Sequence, residues 1–491
     1  LMITLGIDVG TQGARVAAVR EDGELLAHAS VPLPAVAEPR PGWREQRAED
    51  WWQAVSACLG AVTEELHLLG GGLVGQVKAI AVSSTSGTIV PVDRAGRALR
   101  PALMYNDSRS AAEAAEASAA GRALEQELGY RFSSSFALPK CVWLSRHEPS
   151  VCERTAKFLH AADYIVGSLT GVWDVTDYSN ALKTGYDLLR NQWPPFLFSE
   201  LGLNADKFPR VVAPGTVIAP ISRQTVAAFG LAADTVVAAG MTDGCLGQLA
   251  SGARQDGDWT STIGTTFILK GLTDQLLRGP GLYSHLHPDG WWMPGGASNC
   301  GGAVLNRLFG KERLAALDRQ AELSGPSTVI VYPLVQCGER FPFQHDGATG
   351  FVLGEPKDEA DLYRGCLEGM ALVERLALEV VQELGAKVNR RLYTTGGAAK
   401  SAAWMQIRAD VLQMELCRPK WGEPAVGAAV LAAKAAGFAS VSEAAGQMVR
   451  VEPPIQPDVR MASVYREKYA RFKEECRLRG YLDKKMKGRG E

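Results

Sequence analysis

Apolar residues run from Ile3 to Val9 with one interruption, the carboxylate Asp8 near the end of the run. A second β-branched run covers Arg15 to Val19, and Gly10-Thr11-Gln12-Gly13 lies between the two. This pattern predicts a tight hairpin. A third strand, Leu25 to Val31, follows through the turn Glu21-Asp22-Gly23. The design recurs in Trp259-Thr260-Ser261-Thr262-Ile263, Gly264-Thr265-Thr266 and Phe267-Ile268-Leu269, about half the chain further on. A repeated hairpin at that separation predicts a duplicated domain.

The remaining pattern alternates. Prolines 32, 34, 39 and 41 form an extended connector, which delivers Gly42-Trp43-Arg44-Glu45-Gln46 and then a helix from Trp51 to about Leu69. Trp51 and Trp52 read as core, whereas Trp43 and Gln46 fit either a core or a cleft. Gln76–Val82 and Ile89–Val92 read as strands around the hydroxyl-rich loop Ser83–Thr88. Helices are expected over Ala111–Leu128, Ala137–His147 and Asp163–Leu169, with a polar, turn-rich stretch from Trp173 to Gly185. Thr235–Ala239 is a buried strand that ends at Gly240-Met241-Thr242-Asp243-Gly244 and passes into a helix reaching about Ser251. In the second half a Gly-rich segment through Gly301-Gly302 opens a helix to Phe309, and Val329–Pro333 reads as a strand. Asp361–Leu384 is a long amphipathic helix stopped by Gly385. Leu392–Thr395 is a strand that turns at Gly396-Gly397, Met414–Cys417 another, and Ala425–Ala436 an Ala-rich helix. Three strands followed by alternating helices and strands, twice over, predict two α/β domains with mixed sheets.

Length and composition narrow the class. At 491 residues the chain exceeds one core. A net charge of −2 argues against nucleic acid or anionic membrane as the main partner. Nine cysteines without a C-x-x-C spacing read as free thiols of a reducing compartment. No run of 18 apolar residues predicts a membrane span, and Asp8 and Arg15 interrupt the first apolar run before it could serve as a signal segment, so a cytoplasmic protein is expected. From Arg460 onward eleven Lys and Arg stand against five Asp and Glu, while Tyr465, Tyr469, Phe472 and Cys476 share one helical face. A docked helix with a solvated basic face is expected there.

Candidate chemistry sits at strand ends. Asp8 beside two glycines and a hydroxyl suits Mg²⁺, which binds one or two carboxylates together with phosphate oxygens; an Asx turn is the alternative. Asp243 is a second strand-end carboxylate, with an ordinary N-cap as its alternative. Asn106-Asp107-Ser108-Arg109 offers groups suited to sugar hydroxyls, or else a surface ion pair. Gly396-Gly397 before a helix suits the approach of a nucleotide. Two phosphate-type turns, two strand-end carboxylates and Gly-rich helix entries point to phosphoryl transfer from ATP to a small hydroxylated acceptor. No Gly-x-Gly-x-x-Gly follows the first strand, which disfavours a dehydrogenase.

These segments, in this order, resemble the FGGY carbohydrate kinases of the sugar kinase, heat-shock protein and actin superfamily. The resemblance runs from Gly6-Ile7-Asp8-Val9-Gly10-Thr11 through Gly42–Gln46, Asn106–Arg109, Ala137-Leu138-Pro139-Lys140 and Asp163-Tyr164. It continues through Gly240–Gly244, Gly264–Thr266, Leu367-Glu368-Gly369 and Thr395–Ser401, with Trp404-Met405-Gln406 and Ala409-Asp410. It implies an α/β fold of two ribonuclease H-like (actin/hexokinase-type ATPase) domains with mixed sheets around a central cleft. The expected divisions are 1–240, 241–455 and a C-terminal helix in 456–491 that returns to the first domain. The resemblance implies ATP and Mg²⁺, with Asp243 as general base and Asp8 organising the metal. Thr11, Gln12, Gly264, Thr265 and Thr266 would hold phosphates; Gly301, Gly302, Gly396, Gly397 and Ala398 would lie along the nucleotide. Ser86, Asn106, Asp107 and Arg109, with Asp243, would face the sugar. It leaves a homodimer open. D-xylulose kinases resemble one another in a Gly-Gln-Met-His-Gly loop, where this chain has Ser84-Thr85-Ser86-Gly87-Thr88, closer to the loop of ribulose-type kinases. Gly244 stands where many relatives have Asn or Gln. A ketopentose is the expected acceptor, D-ribulose slightly ahead of D-xylulose, with glycerol, a tetritol, gluconate or a hexulose as rivals and a non-catalytic sensor as the remoter one.

Overall fold

The computed structural model describes residues 2–482, so the end of the basic tail lies outside the described residues. Two compact units divide the chain.

The first unit comprises residues 1–254 with 285–291 and 421–450. Its strands are β1 (Ile3–Val9), β2 (Gly13–Arg20), β3 (Leu25–Pro32), β4 (Val77–Ser84), β5 (Val217–Pro220) and β6 (Val236–Thr242). The sheet order is β5-β6-β4-β1-β2-β3, with β1 antiparallel to β2 and parallel to β4, and β4 parallel to β6. Helix α1 (Ala48–Leu68) buries Trp51, Val55, Leu59 and Val62 in the core formed with β1 and β2, at the three-to-four-residue spacing of an amphipathic helix. The hairpin and the third strand follow the sequence expectation closely. The helix expected over Ala111–Leu128 is instead two, Ala111–Ala120 and Arg122–Leu128. At the break a Cβ on Gly121 would lie 2.6 Å from the Phe132 ring. The polar stretch after Trp173 holds a buried strand, Val175–Asp177, and a short helix, Tyr178–Ala181.

The second unit comprises residues 255–284, 292–420 and 451–491. Strands β7 (Trp259–Ile263), β8 (Phe267–Gly271), β9 (Trp292–Ser298), β10 (Arg391–Thr395) and β11 (Glu415–Cys417) pair in the order β9-β8-β7-β10-β11. Strand β7 is antiparallel to β8 and parallel to β10, so it occupies the position that β1 holds in the first unit. The internal repeat seen in the sequence is therefore a repeat of sheet order and direction. Helices α2 (Ala303–Phe309), α3 (Glu359–Glu383) and α4 (Ala402–Leu412) contribute apolar side chains to this unit's core.

Two expectations about domain division change. Helix Pro424–Ala435, expected in the second domain, belongs to the first unit, where its carbonyls press on β1. A Cβ on Gly6 would lie 1.7 Å from Ala425 O, and Thr4 Oγ1 donates to Ala429 O at 2.8 Å. Only glycine permits that approach. The C-terminal helix α5 (Ala462–Leu478) does present Tyr465, Tyr469, Phe472 and Cys476 as one buried face. That face packs in the core of the second unit, not the first, because Tyr465 Oη and Lys468 Nζ bond the buried Glu368 of α3.

Candidate active site

In the first unit the strand register places Asp8 of β1 opposite Arg15 of β2 and Ser83 of β4. Its side chain is 4% exposed, and Arg15 Nη1 donates to Oδ2 at 3.3 Å. Asp8 Oδ1 and Ser83 Oγ are both buried, and the two residues are register partners across β1 and β4. Burial pushes the Asp8 carboxyl up to about 6; the Ser83 hydroxyl opposes this in part, the Asp243 charge adds to it, and Arg15 opposes it. Asp8 and Asp243 thus share one field, as two strand-end carboxylates of one sheet do.

Asp243 opens the short helix Asp243–Leu249 directly after β6, and Gly244 N donates to its Oδ1 at 2.7 Å. Behind it, Ser179 Oγ accepts from Thr242 N at 3.1 Å and donates to the buried Asp177. Lys183, on the turn that follows, is half-buried; burial pushes its ammonium down, and the charges of Asp243 and Tyr105 oppose that shift. Sequence reasoning missed Lys183, although it lies in the stretch singled out as turn-rich.

The Gly10–Gly13 turn is closed by Gly10 N donating to Gly13 O at 3.0 Å. Thr11 is half-buried and Gln12 exposed, and Gln46 Nε2 donates to Thr11 O at 2.8 Å while its Oε1 accepts from Trp51 Nε1. Gln46 therefore braces the phosphate-type turn. Ser86 is half-buried at the tip of its loop, where Thr85 and Thr88 hydroxyls pair at 3.2 Å and Thr88 Oγ1 accepts from Tyr105 N.

The Asn106–Arg109 segment divides. Asn106 is exposed, but Asp107 is fully buried, accepting from Arg44 N at 2.6 Å and from Arg109 N, Nε and Nη2. Arg109 also donates to Glu45 at 2.7 Å, and its guanidinium lies 3.8 Å from the Trp43 ring centroid. The Asp107 carboxylate is taken up by Arg109 and Arg44 N, whereas Arg109 keeps Nη1 buried with no hydrogen-bond partner among the described residues. They form an ionic brace.

In the second unit three separate segments meet at the end of β7. Gly302 N donates to Gly264 O at 2.7 Å, and a Cβ on Gly301 would lie 2.2 Å from Thr265 O. A Cβ on Gly396 would lie 2.5 Å from Ile263 O, and Thr262 Oγ1 and Thr395 Oγ1 are 2.7 Å apart. Thr265 is exposed at the turn and Thr266 half-buried; Gly397 is exposed and Ala398 buried. The structure thus brings Gly264–Thr266, Gly301-Gly302 and Gly396–Ala398 together, with Gly301, Gly302 and Gly396 too tightly packed to carry side chains and Gly264 and Gly397 open. Backbone surface of this kind lets a phosphorylated nucleotide come close. Beneath it, Arg408 bonds Glu374 through Nε and Nη2 and reaches Thr394 and Ser261, all fully buried.

Two sheets of one topology, each led by a Gly-Thr hairpin, with strand-end carboxylates in one and a convergent glycine surface in the other, define an ATP-dependent kinase of the two-domain actin/hexokinase-like class. Models of the FGGY family of carbohydrate kinases match residues 3–250 (N-terminal domain) and 260–436 (C-terminal domain), and the chain belongs to that family. It is 26% identical over 483 residues to a xylulose kinase of Bacillus subtilis (strain 168), covering 96% of this chain and 95% of the relative. It is 29% identical over 446 residues to a xylulose kinase of Escherichia coli (strain K12), covering 88% and 90%. A crystal structure of xylulose kinase from Rhodospirillum rubrum superposes with a TM-score of 0.85 at 27% identity, covering 96% of this chain and 98% of that one. Among the described residues no helix is long and apolar enough to cross a membrane.

Proposed function

We propose that this kinase phosphorylates a ketopentose, D-xylulose or D-ribulose, at its terminal hydroxyl. The acceptor oxygen attacks the γ-phosphorus of ATP, the bond to the β-phosphate oxygen breaks, and ADP leaves with that electron pair. Asp243 takes the proton of the attacking hydroxyl. In a loose phosphoryl-transfer transition state the hydroxyl loses its proton late, so an ordinary carboxylate suffices as base. Asp8, its carboxylate buried near the end of β1, suits a hydrated Mg²⁺, an ion that binds one or two carboxylates together with phosphate oxygens. Bound there, Mg²⁺ would offset charge on the transferring phosphates. Thr11, Gln12 and Gly264–Thr266 are the candidates for phosphate, and Gly301, Gly302 and Gly396–Ala398 those for the rest of the nucleotide. Ser86, Asn106 and Lys183 are the candidates for the sugar.

The observation that carries this reading is the placement of Asp8 and Asp243 at the ends of β1 and β6, two strands of one sheet with only β4 between them. Binding alone needs neither carboxylate, which disfavours a sensor. The relatives' names favour D-xylulose, whereas the Ser84–Thr88 loop favours D-ribulose. Space around Gly244, where a Cβ would meet nothing within 4 Å, gives a second reading in which a bulkier acceptor such as gluconate or a hexulose is used. A coupled ADP-release assay with Mg-ATP across both ketopentoses, glycerol, gluconate and fructose separates them. Turnover confined to one ketopentose supports the proposal; turnover confined to gluconate or fructose selects the second reading.

A further inference from the structure

Glu339 lies in a loop of the second unit, 3% exposed, with no sequence motif to single it out. Its carboxylate collects five donors. Oε2 accepts from Ser298 Oγ at 2.8 Å, Tyr332 Oη at 2.9 Å and Cys300 Sγ at 3.6 Å; Oε1 accepts from Asn299 N at 2.7 Å and Arg340 N at 2.9 Å. Asn299 Nδ2 adds a bond to Gly338 O at 2.8 Å. Three of the five donors belong to consecutive residues, Ser298, Asn299 and Cys300, where β9 ends and turns into Gly301-Gly302. Those glycines are the ones that seat against Gly264 and Thr265.

From this geometry we infer that Glu339 is a positioning residue for the nucleotide, acting through the loop Ser298–Gly302. A backbone loop of glycines has no side chains of its own to fix it, and glycine is the most conformationally permissive residue. A carboxylate that accepts from backbone N–H and side-chain donors of that loop fixes its course from behind. Removing the carboxylate leaves Asn299 N and Arg340 N without an acceptor and frees the loop to move off the hairpin turn. The inference rests on the reading that Gly301-Gly302 lies along the nucleotide.

The test compares Glu339→Ala, Glu339→Gln and Gly301→Ala with the parent enzyme, using calorimetric ADP binding and the two KM values, each variant first checked by circular dichroism. Glu339→Ala is expected to weaken ADP and raise KM for ATP by roughly ten- to a hundredfold, with KM for the sugar changed less than about twofold. Glu339→Gln should recover much of the loss, because its carbonyl oxygen can face the two backbone donors while the Ser298 and Tyr332 hydroxyls rotate to accept. Equal rises in both KM values, or unchanged ADP affinity in Glu339→Ala while Gly301→Ala weakens it, would overturn the inference alone. Unchanged ADP affinity in Gly301→Ala would overturn the nucleotide reading on which it rests. If Glu339→Ala does not fold, Ser298→Ala combined with Tyr332→Phe, which removes two of the five donors, serves: a selective rise in KM for ATP upholds the inference and its absence refutes it.

Discussion

Replacing Asp8 by Asn should stabilise this protein while abolishing its turnover. The carboxyl is raised from 3.8 to about 6, chiefly by burial, with a further push from Asp243. A folded-state value above the unfolded one means that the stability present below about pH 4 is lost as pH rises through about 6. The displacement of roughly 2 pH units corresponds to about 3 kcal/mol at pH 8, where Asp8 is ionised in both states. At pH 5 the native carboxyl is still mostly protonated, and roughly half of that cost applies. Asn has the same shape and no charge to bury. Urea denaturation of metal-free protein at pH 5 and pH 8 is the assay. Asp8→Asn should exceed the parent by about 3 kcal/mol at pH 8, with a smaller margin at pH 5. Asp243→Asn should deliver part of the same gain, since it removes one cause of the shift. An Asp8→Asn variant equal to or less stable than the parent at pH 8 would refute the reasoning, and so would a margin that does not change with pH. The trade of stability against a strained, functional carboxylate is a general one.

Three further outcomes follow from packing and charge. Gly6→Val should cost roughly 3 kcal/mol or more in denaturant titration, because its first added carbon falls 1.7 Å from Ala425 O. Glu374→Ala leaves Arg408 buried without its anion and should cost about 3–5 kcal/mol, whereas Glu374→Gln should cost less. Arg109→Met leaves Asp107 unpaired at a fully buried position, so it should lower the melting temperature while leaving the order of preference among sugars unchanged. A reordered sugar preference in Arg109→Met would return that residue to the ligand side.

What the sequence made legible was whatever repeats or breaks a period. The two hairpins, the strands that follow them and both strand-end carboxylates stand out because a charged residue in a β-branched run has few structural uses. The sequence could not tell whether polar neighbours face a ligand or one another: Asp107 and Arg109 are two residues apart, and only the fold shows the carboxylate meeting Arg44 N and the guanidinium lying on Trp43. Nor could it assign helix Pro424–Ala435 to a unit, because a helix apolar on every face carries no direction of packing. Helix α5 showed its buried face but not the surface that covers it. Lys183 and Glu339 escaped for a related reason, since a single charge in a loop gives no periodic signal, and their surroundings come from residues distant in sequence.

The central claim is that Asp243 accepts the proton as the γ-phosphoryl group of ATP passes to a ketopentose. Transfer of ³²P from γ-labelled ATP to D-xylulose and to D-ribulose, followed with the parent enzyme and Asp243→Ala under identical Mg²⁺, tests it most directly. The account predicts a labelled pentose phosphate from the parent enzyme and a fall of roughly two to four orders of magnitude in Asp243→Ala, with ADP and sugar still bound. Labelled product at the parent rate from Asp243→Ala would contradict it.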